Sequence, residues 1–499
     1  MAYKYSDRMQ VNLFPPVIDD LVGAEHPVRV YDAFIESLDV EQIGIAIEPV
    51  QQGAVAYHPH VLLKILIYGY SYGIRSSRKL ERACHDNISF QWLTGALKPD
   101  YRTIGRFRSV HKKAIKNILK QSVRMCLEFD LIEGNTVFID GSAFRANASI
   151  KHHWTKEKYR KHLKELDEHI EQLVDQMEQL DAREEDKGSL VRVAPQLQDA
   201  QARKERMNQL LQRLEDKEQE HKRQTTRTTE QTLNHADHES VKMKSRQGTH
   251  ACYNVQMAVD QKHGMIISAD ATSQASDAHQ LNPHIEQVKE TLGRYPKEVC
   301  SDAGYYDLDH LSQTPPGIAL IIPSQEQSRR EKSDQPEKPF DKKNFQYNSQ
   351  EDTYKCPGGK TLILTTIDPR RHSRIYQARA SDCRSCQHFM TCTKSLHGRR
   401  ISRSQYYRLE EQLAQEYQSP LGQEIYKQRK ERAEVPFGHF KHNLAAPAFL
   451  LKGRHGTGAE VSLLSCCFNI ARMITILGTQ KLICKLKEFA NRQTVQWAT

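Results

Sequence analysis

The 499-residue sequence predicts an α/β protein with a helical amino-terminal unit, and three observations carry that reading. Residues 58–125 show the three-and-four spacing of apolar helix faces. Short apolar runs at 135–139, 253–260, 265–270, 298–301 and 317–323 read as strands with a helical stretch among them, the pattern of an α/β sheet. Between the first two, residues 156–222 form a charged helical insertion almost free of Gly and aromatic residues.

Lys and Arg number 72 against 62 Asp and Glu, a formal +10, with 38% hydrophobic and 27% charged residues. This balance argues against membrane and disordered classes, and it suits an anionic partner without identifying one. The first residues lack the basic-then-apolar order of a leader, Asn469 and Arg472 interrupt the apolar run Val461–Leu477, and the eleven cysteines are scattered apart from one cluster. The expectation is a soluble cytoplasmic protein with no membrane partner.

In the amino-terminal unit, His58-Pro59 opens a helix with Val61, Leu62, Ile65, Leu66 and Tyr68 on its apolar face. Ser76 or Ser77 caps a second helix through Leu80 and Ala83, and Asp100 caps a third from Tyr101 to Arg108. On the third, Ile104, Phe107 and Val110 are expected to face a core while Arg102, Arg106 and Arg108 project outward, as in a helix offered to a DNA groove. A solvated basic face accounts for the same arginines equally well.

The strand Asn135–Ile139 is expected to end at Asp140-Gly141-Ser142. In the insertion, Leu163, Leu166, Ile170, Leu173, Met177 and Leu180 recur at steps of three and four, and Met207, Leu210 and Leu214 resume after a break containing Gly188, Ser189 and Pro195. This is the pattern of an antiparallel coiled-coil hairpin. Tyr253–Asp260 and Met265–Asp270 form a β-hairpin, Asp277–Leu292 suits a helix, and Glu298–Ser301 and Gly317–Pro323 are further strands. Residues 324–400 are polar, and helices return over Glu410–Arg432 and Ala459–Lys481, where Cys466-Cys467 suits core packing.

Asp140 and Asp302 each follow an apolar strand and precede a glycine-containing turn. A lone aspartate there is more often a cap or turn former, but two, joined by a third carboxylate, suit a pair of hard divalent ions. Cys356, the pair Cys383 and Cys386, and Cys392 offer four thiolates, one pair at a C-x₂-C step, which suits a tetrahedral structural Zn²⁺. Unlinked reduced thiols are the alternative, and His388 or His397 could replace a ligand. So small and polar an insertion is expected to need such a staple.

The third carboxylate comes from Glu434-Val435-Pro436-Phe437-Gly438-His439-Phe440-Lys441. Together with Val137-Phe138-Ile139-Asp140-Gly141-Ser142 and Ser301-Asp302-Ala303-Gly304-Tyr305, it resembles the DDE transposases of bacterial insertion sequences. Pro99–Arg108 and the hairpin strand Tyr253–Asp260 resemble the branch with a helical DNA-binding amino-terminal domain, and the likeness runs from about residue 10 to 475. The resemblance implies a helical DNA-binding domain over 1–130 and a ribonuclease H-like catalytic domain over 131–323 and 401–480. The latter would carry an inserted coiled-coil hairpin at 155–230 and a zinc-binding insertion at 324–400, whose cysteines the branch shares.

It further implies a catalytic triad of Asp140, Asp302 and Glu434 binding two Mg²⁺ or Mn²⁺ ions. In the family a signature Y-(2)-R-(3)-E-(6)-K surrounds the glutamate. Here six residues separate Glu434 from Lys441, Lys430 stands at the arginine position with Arg429 beside it, and Tyr426 is one position early. Lys430 and Glu434 are spaced i,i+4, as an ordinary surface ion pair also would be, and Pro436 and Gly438 are expected to interrupt the helix so that Lys441 reaches DNA. Glu431 is a rival one turn earlier without the Pro-Phe-Gly context. His235-Ala236-Asp237-His238-Glu239 matches a short acidic loop of the family and takes no catalytic role.

The expected function is binding of terminal inverted repeats of double-stranded DNA, metal-dependent phosphodiester hydrolysis, and joining of the 3′ hydroxyl to target DNA. A nucleoid-associated homodimer in a bacterial cytoplasm is implied. The rivals are an inactive DNA-binding relic or regulator, and a structure-specific nuclease on the same fold.

Overall fold

Strand Thr136–Arg145 carries the chain from one compact unit to another between Asp140 and Gly141. The first unit comprises Met1–Glu133, Gly141–Ala275 and Ala433–Thr499; the second comprises Gly134–Asp140 and Ser276–Arg432. The structure, a computed structural model, describes residues 17–47, 56–183, 187–224, 230–245, 248–332, 339–369 and 372–496. The first sixteen residues and the side chains of Leu180 and Ser189, for which the sequence carried expectations, lie outside the described residues.

The first unit is built on helix Gly453–Leu477, which packs against helices Lys112–Glu128 and Pro59–Ser71 and strand Ile266–Thr272. Val461, Leu464, Cys466, Cys467 and Ile470 are completely buried there. By length and composition it is the one helix among the described residues that could cross a membrane, yet 67% of its most apolar window is buried inside the protein. Its polar residues explain this. Asn469 donates from Nδ2 to the Ile266 carbonyl and accepts the Ile266 amide on Oδ1, both at 2.9 Å, extending the adjoining strand's hydrogen bonding into the helix. Glu460, 1% exposed, accepts from Arg75 Nη1 at 3.0 Å and from the Leu450 and Leu451 amides at 2.9 and 3.2 Å. Burial pushes its carboxyl above the usual range, against the pull of Arg75 and those amides.

The amino-terminal helices are Val28–Glu36, Pro59–Ser71, Ser77–Asp86, Ile88–Thr94, Tyr101–Val110 and Lys112–Glu128. Asp100 caps the fifth, accepting the Thr103 amide at 2.6 Å. Ile104 and Phe107 are buried as expected, but Val110 is 65% exposed, because the helix ends there and the chain turns at His111. Arg108 does not project outward. It is 9% exposed and donates to the Tyr70 hydroxyl and the Arg75 carbonyl, both at 2.9 Å, next to the buried Glu460 pair. Arg102 and Arg106 remain on the exposed face.

Strands Val241–Ser245, Gly248–Asp260 and Ile266–Thr272 pair antiparallel, so the expected hairpin gains an earlier strand. Helices Lys156–Arg183 and Lys187–Gln224 pack antiparallel: Tyr159, Leu163 and Leu166 meet Met207, Leu210 and Leu214, while Leu173 meets Val193 and Ala200. Lys156 and Arg160 pair with Glu215, and Lys204 with Asp167, across the seam. The expected break is shorter than the sequence suggested, because the second helix starts at Lys187 and runs through Pro195.

In the second unit, residues Thr136–Phe138 pair parallel with strand Glu298–Cys300, which pairs parallel with strand Ala319–Ile321. The first strand does not end at Asp140; it continues to Arg145. Residues 324–400 are not simply polar loop: strands Gln346–Asn348, Thr353–Lys355, Thr361–Asp368, Ser373–Ala378 and Arg400–Ser404 form an antiparallel sheet. Its core is Phe345, Tyr354, Leu362, Tyr376, Ala378 and Ile401, so the segment buries apolar surface of its own. The long pattern expected over Glu410–Arg432 divides at Ser419-Pro420 into helices Tyr407–Gln418 and Pro420–Arg429, with Ser419 accepting the Gly422 amide as a cap. The last expected helix likewise divides, into Gly453–Leu477 and Thr479–Gln496 around Gly478 at φ +76°. The helix foreseen from Asp277 begins at Leu281.

Replacing Glu460 by Ala leaves Arg75 buried without its counter-charge. The expected cost is about 3–5 kcal/mol, read as a lower urea midpoint at unchanged m-value. The double replacement Arg75→Met/Glu460→Leu should lose less than Glu460→Ala alone.

Candidate active site

Asp140 projects from the strand that spans Thr136–Arg145, in the part belonging to the second unit, and meets Arg429 at the end of helix Pro420–Arg429. Arg429 Nη1 lies 3.3 Å from Asp140 Oδ2, and the two side chains are only 12% and 13% exposed. Burial works against the guanidinium's charge, but Asp140 and Asp302, with smaller help from Tyr426 and Cys300, more than restore it, and its pKa is raised. Cys300, two residues before Asp302 at the end of the neighbouring strand, is pushed up to about 12 by burial and by the same two carboxylates, against the pull of Arg429. The sequence-predicted Asp140 thus pairs with a poorly exposed cation whose charge Asp302 also favours.

Asp302 caps the 3₁₀ turn Ala303–Tyr305 and accepts the Gly304 amide on Oδ1 at 2.8 Å. That close approach requires glycine. A Cβ at residue 304 would stand 2.9 Å from Asp302 Oδ1 and 3.7 Å from Asp277 Oδ2, so any side chain would displace the carboxylate. Asp277 is thereby placed beside Asp302, a neighbour that no sequence motif announced.

Arg429 corrects the sequence reading, which gave the arginine position to Lys430. Lys430 is exposed. The cause is the turn Lys430–Glu434, which is π-helical. A π turn bonds i→i+5 and so absorbs one extra residue without ending the helix. The spacing Tyr426-(2)-Arg429 therefore matches the family signature as it stands, and the surplus residue before Glu434 is held in the turn. Tyr426 lies under the Arg429 guanidinium, 5.8 Å from ring centroid to Cζ, and packs edge-on against Tyr417. The clue available in the sequence was the Tyr–Arg spacing; the π turn was not legible.

Glu434 closes the π turn, exposed, two residues into the first unit. Pro436 does not interrupt the chain's helical course: helix Val435–His442 places it in the first turn, where a missing N–H costs least. In the same unit Lys441 Nζ donates to Ser142 Oγ at 2.7 Å and lies 4.7 Å above the Phe144 ring. Burial lowers its pKa. Lys441 is thus a half-buried cation holding Ser142, two residues beyond Asp140, rather than a free point charge.

Cys356, Cys383, Cys386 and Cys392 surround one small cavity of about 30 Å³. Backbone amides of Lys360, His388 and Arg399 point at the sulfurs of Cys356, Cys386 and Cys383, at 3.3, 3.5 and 3.3 Å. Such N–H donors favour thiolates. Burial raises the pKa of Cys392, and the other three cysteines push it further up, against Arg399. No group of three or more His, Cys, Asp or Glu among the described residues stands in a metal-holding arrangement. In the loop 235–239, Asp237 Oδ1 accepts from the Tyr253 hydroxyl at 2.6 Å and the Gly453 amide at 3.3 Å, and Glu239 Oε2 accepts the Arg454 amide at 2.8 Å.

Comparison with known families finds two matches. Residues 16–110 match the family described as Transposase domain (DUF772), and residues 355–474 match the family described as Transposase DDE domain. No curated protein and no solved structure matches the chain.

Arg429 is the cation that Asp140 meets, at 3.3 Å. In Arg429→Gln, added Mg²⁺ is expected to raise the melting temperature more than in wild type, because two carboxylates then lack a counter-ion; an equal response in both proteins would show that Asp140 and Asp302 do not share a cation.

Proposed function

The chain is a transposase with a DUF772 amino-terminal domain and a DDE transposase domain, and from that premise we propose that it cuts and rejoins DNA at the ends of an insertion sequence. The single observation that carries the proposal is the Asp140–Arg429 pair at 3.3 Å, whose guanidinium charge Asp302 also favours. These carboxylates, with Glu434, would hold two Mg²⁺ or Mn²⁺ ions on a ribonuclease H-like scaffold. When bound, such ions activate a water or 3′ hydroxyl and stabilise the leaving oxygen.

The chain's own residues supply the rest. Gly304 keeps the Asp302 carboxylate in place through its amide, and Arg429, supported by Tyr426, neutralises Asp140 until a cation or phosphate arrives. Lys441 fixes Ser142 next to the Asp140 strand position. Arg102 and Arg106, with Lys430, offer exposed cations to DNA phosphates, whereas Arg108 serves the interior. Recognition of inverted-repeat ends by the amino-terminal helices, strand transfer to target DNA and action as a homodimer complete the reading. The inserted helical hairpin belongs to it as a coiled-coil arm. The four cysteines would hold a structural Zn²⁺, for which four sulfurs around one small cavity, three of them receiving backbone amides, are suited donors.

With labelled duplex ends and Mg²⁺, wild type is expected to give nicked and joined products. Asp140→Ala and Glu434→Ala should lose at least a hundred-fold in cleavage while keeping DNA binding, and Gly304→Ala should lose part of it. Binding without any cutting by wild type would favour a regulator, and cutting without joining a structure-specific nuclease. The purified protein should contain one zinc per chain by elemental analysis, and Cys383→Ser/Cys386→Ser should remove it.

A further inference from the structure

At the root of the helical hairpin, the first unit contains a cavity of about 550 Å³ that none of the preceding roles uses. Arg203 and Arg206 line it from the second hairpin helix, one turn apart, and Lys452 from the start of helix Gly453–Leu477. Its floor is aromatic: Trp154 and His235 lie 4.3 Å apart between ring centroids, with His162 edge-on to Trp154 at 5.1 Å. No carboxylate is among the residues lining the cavity; Glu165 meets His162 Nδ1 at 3.2 Å. The nearest acidic loop is turned away, since Asp237 and Glu239 are engaged by Tyr253 and the first amides of the long helix. Arg203 and Lys452 pair with no acid among the described residues, and Arg206 reaches only the His235 carbonyl, at 3.5 Å. Burial, then His152 and His162 and last Arg206 and Arg203, hold the His235 imidazole near pKa 4, so it is a neutral surface at physiological pH.

Three cations from chain segments about 250 residues apart converge on one concave, acid-free surface. A solvated basic face would be convex and would come from one helix. We infer that the cavity is a DNA-backbone site, in which Arg203, Arg206 and Lys452 hold a phosphodiester of duplex DNA. The inference rests on the transposase reading for the identity of the anion and adds the hairpin root to the DNA-contacting surface. Arginine suits the task through its planar fork, and the cavity has room for a phosphate with its flanking sugars.

The test uses the full-length protein and a random-sequence duplex, followed by fluorescence anisotropy across a salt series, with folding checked by circular dichroism. Arg203→Gln/Arg206→Gln is expected to bind about ten-fold or more weakly and to flatten the dependence of log K on log salt by about one or two. The control Arg213→Gln/Arg223→Gln removes the same charge elsewhere on the hairpin and should stay within about two-fold of wild type. Unchanged affinity and slope in the first variant overturn the inference. So does equal weakening in the control, which would mean that only net charge matters. Loss of binding to a free deoxynucleotide monophosphate with duplex affinity intact also overturns it, by assigning the cavity to a small ligand. Failure of wild type to bind any duplex would instead sink the transposase reading itself.

Discussion

A carboxylate placed in the middle of an apolar helix must be matched or the helix cannot be buried, and the first unit is organised around that requirement at Glu460. One oxygen takes Arg75 and the other takes two backbone amides of the preceding loop. Arg75 in turn binds the Ala448 carbonyl, and its own carbonyl receives Arg108, which also holds Tyr70. Helices near the start of the chain are thereby fixed to a helix near its end by directional bonds as well as by apolar area. A buried pair of this kind adds little net stability compared with well-packed apolar residues, and its effect is to specify one arrangement. The same network withdraws Arg108 from the surface, which is why only part of the arginine face on Tyr101–Val110 stays exposed.

The second unit solves a similar problem with opposite intent. Asp140 is held by a guanidinium that is itself poorly exposed, so its charge is compensated without being removed. The π turn following Arg429 has a matching role: it accepts a residue more than the family spacing allows and keeps the helix continuous. Such turns occur often where function has intruded on a regular helix.

Much of this was legible because it depends on local rules. Asp100 as a cap, the heptad-like seam of the insertion, the β-hairpin at 253–272 and the strand-to-turn position of Asp302 follow from residue type and period. What escaped shares a different cause. Arg108 looks like its neighbours in sequence, and only Tyr70 and Glu460, distant in the chain, decide that it is buried. Lys430 falls at the arginine position when the family spacing is counted back from Glu434, and an added residue in a π turn leaves no mark on composition. The sheet in 346–404 was hidden by polar outward-facing positions, since its core is supplied by a handful of aromatics such as Tyr354 and Tyr376. Asp277 needed the geometry of Gly304 to be noticed at all.

The dependence of the opening helices on Glu460 also bears on how the protein is made. During synthesis Arg75 and Arg108 emerge some 350 residues before the acid that compensates them. Until then the amino-terminal segment lacks both its charge partner and the apolar wall formed by Val461, Leu464 and Cys467. A ribosome that stops early therefore releases a fragment without a complete core.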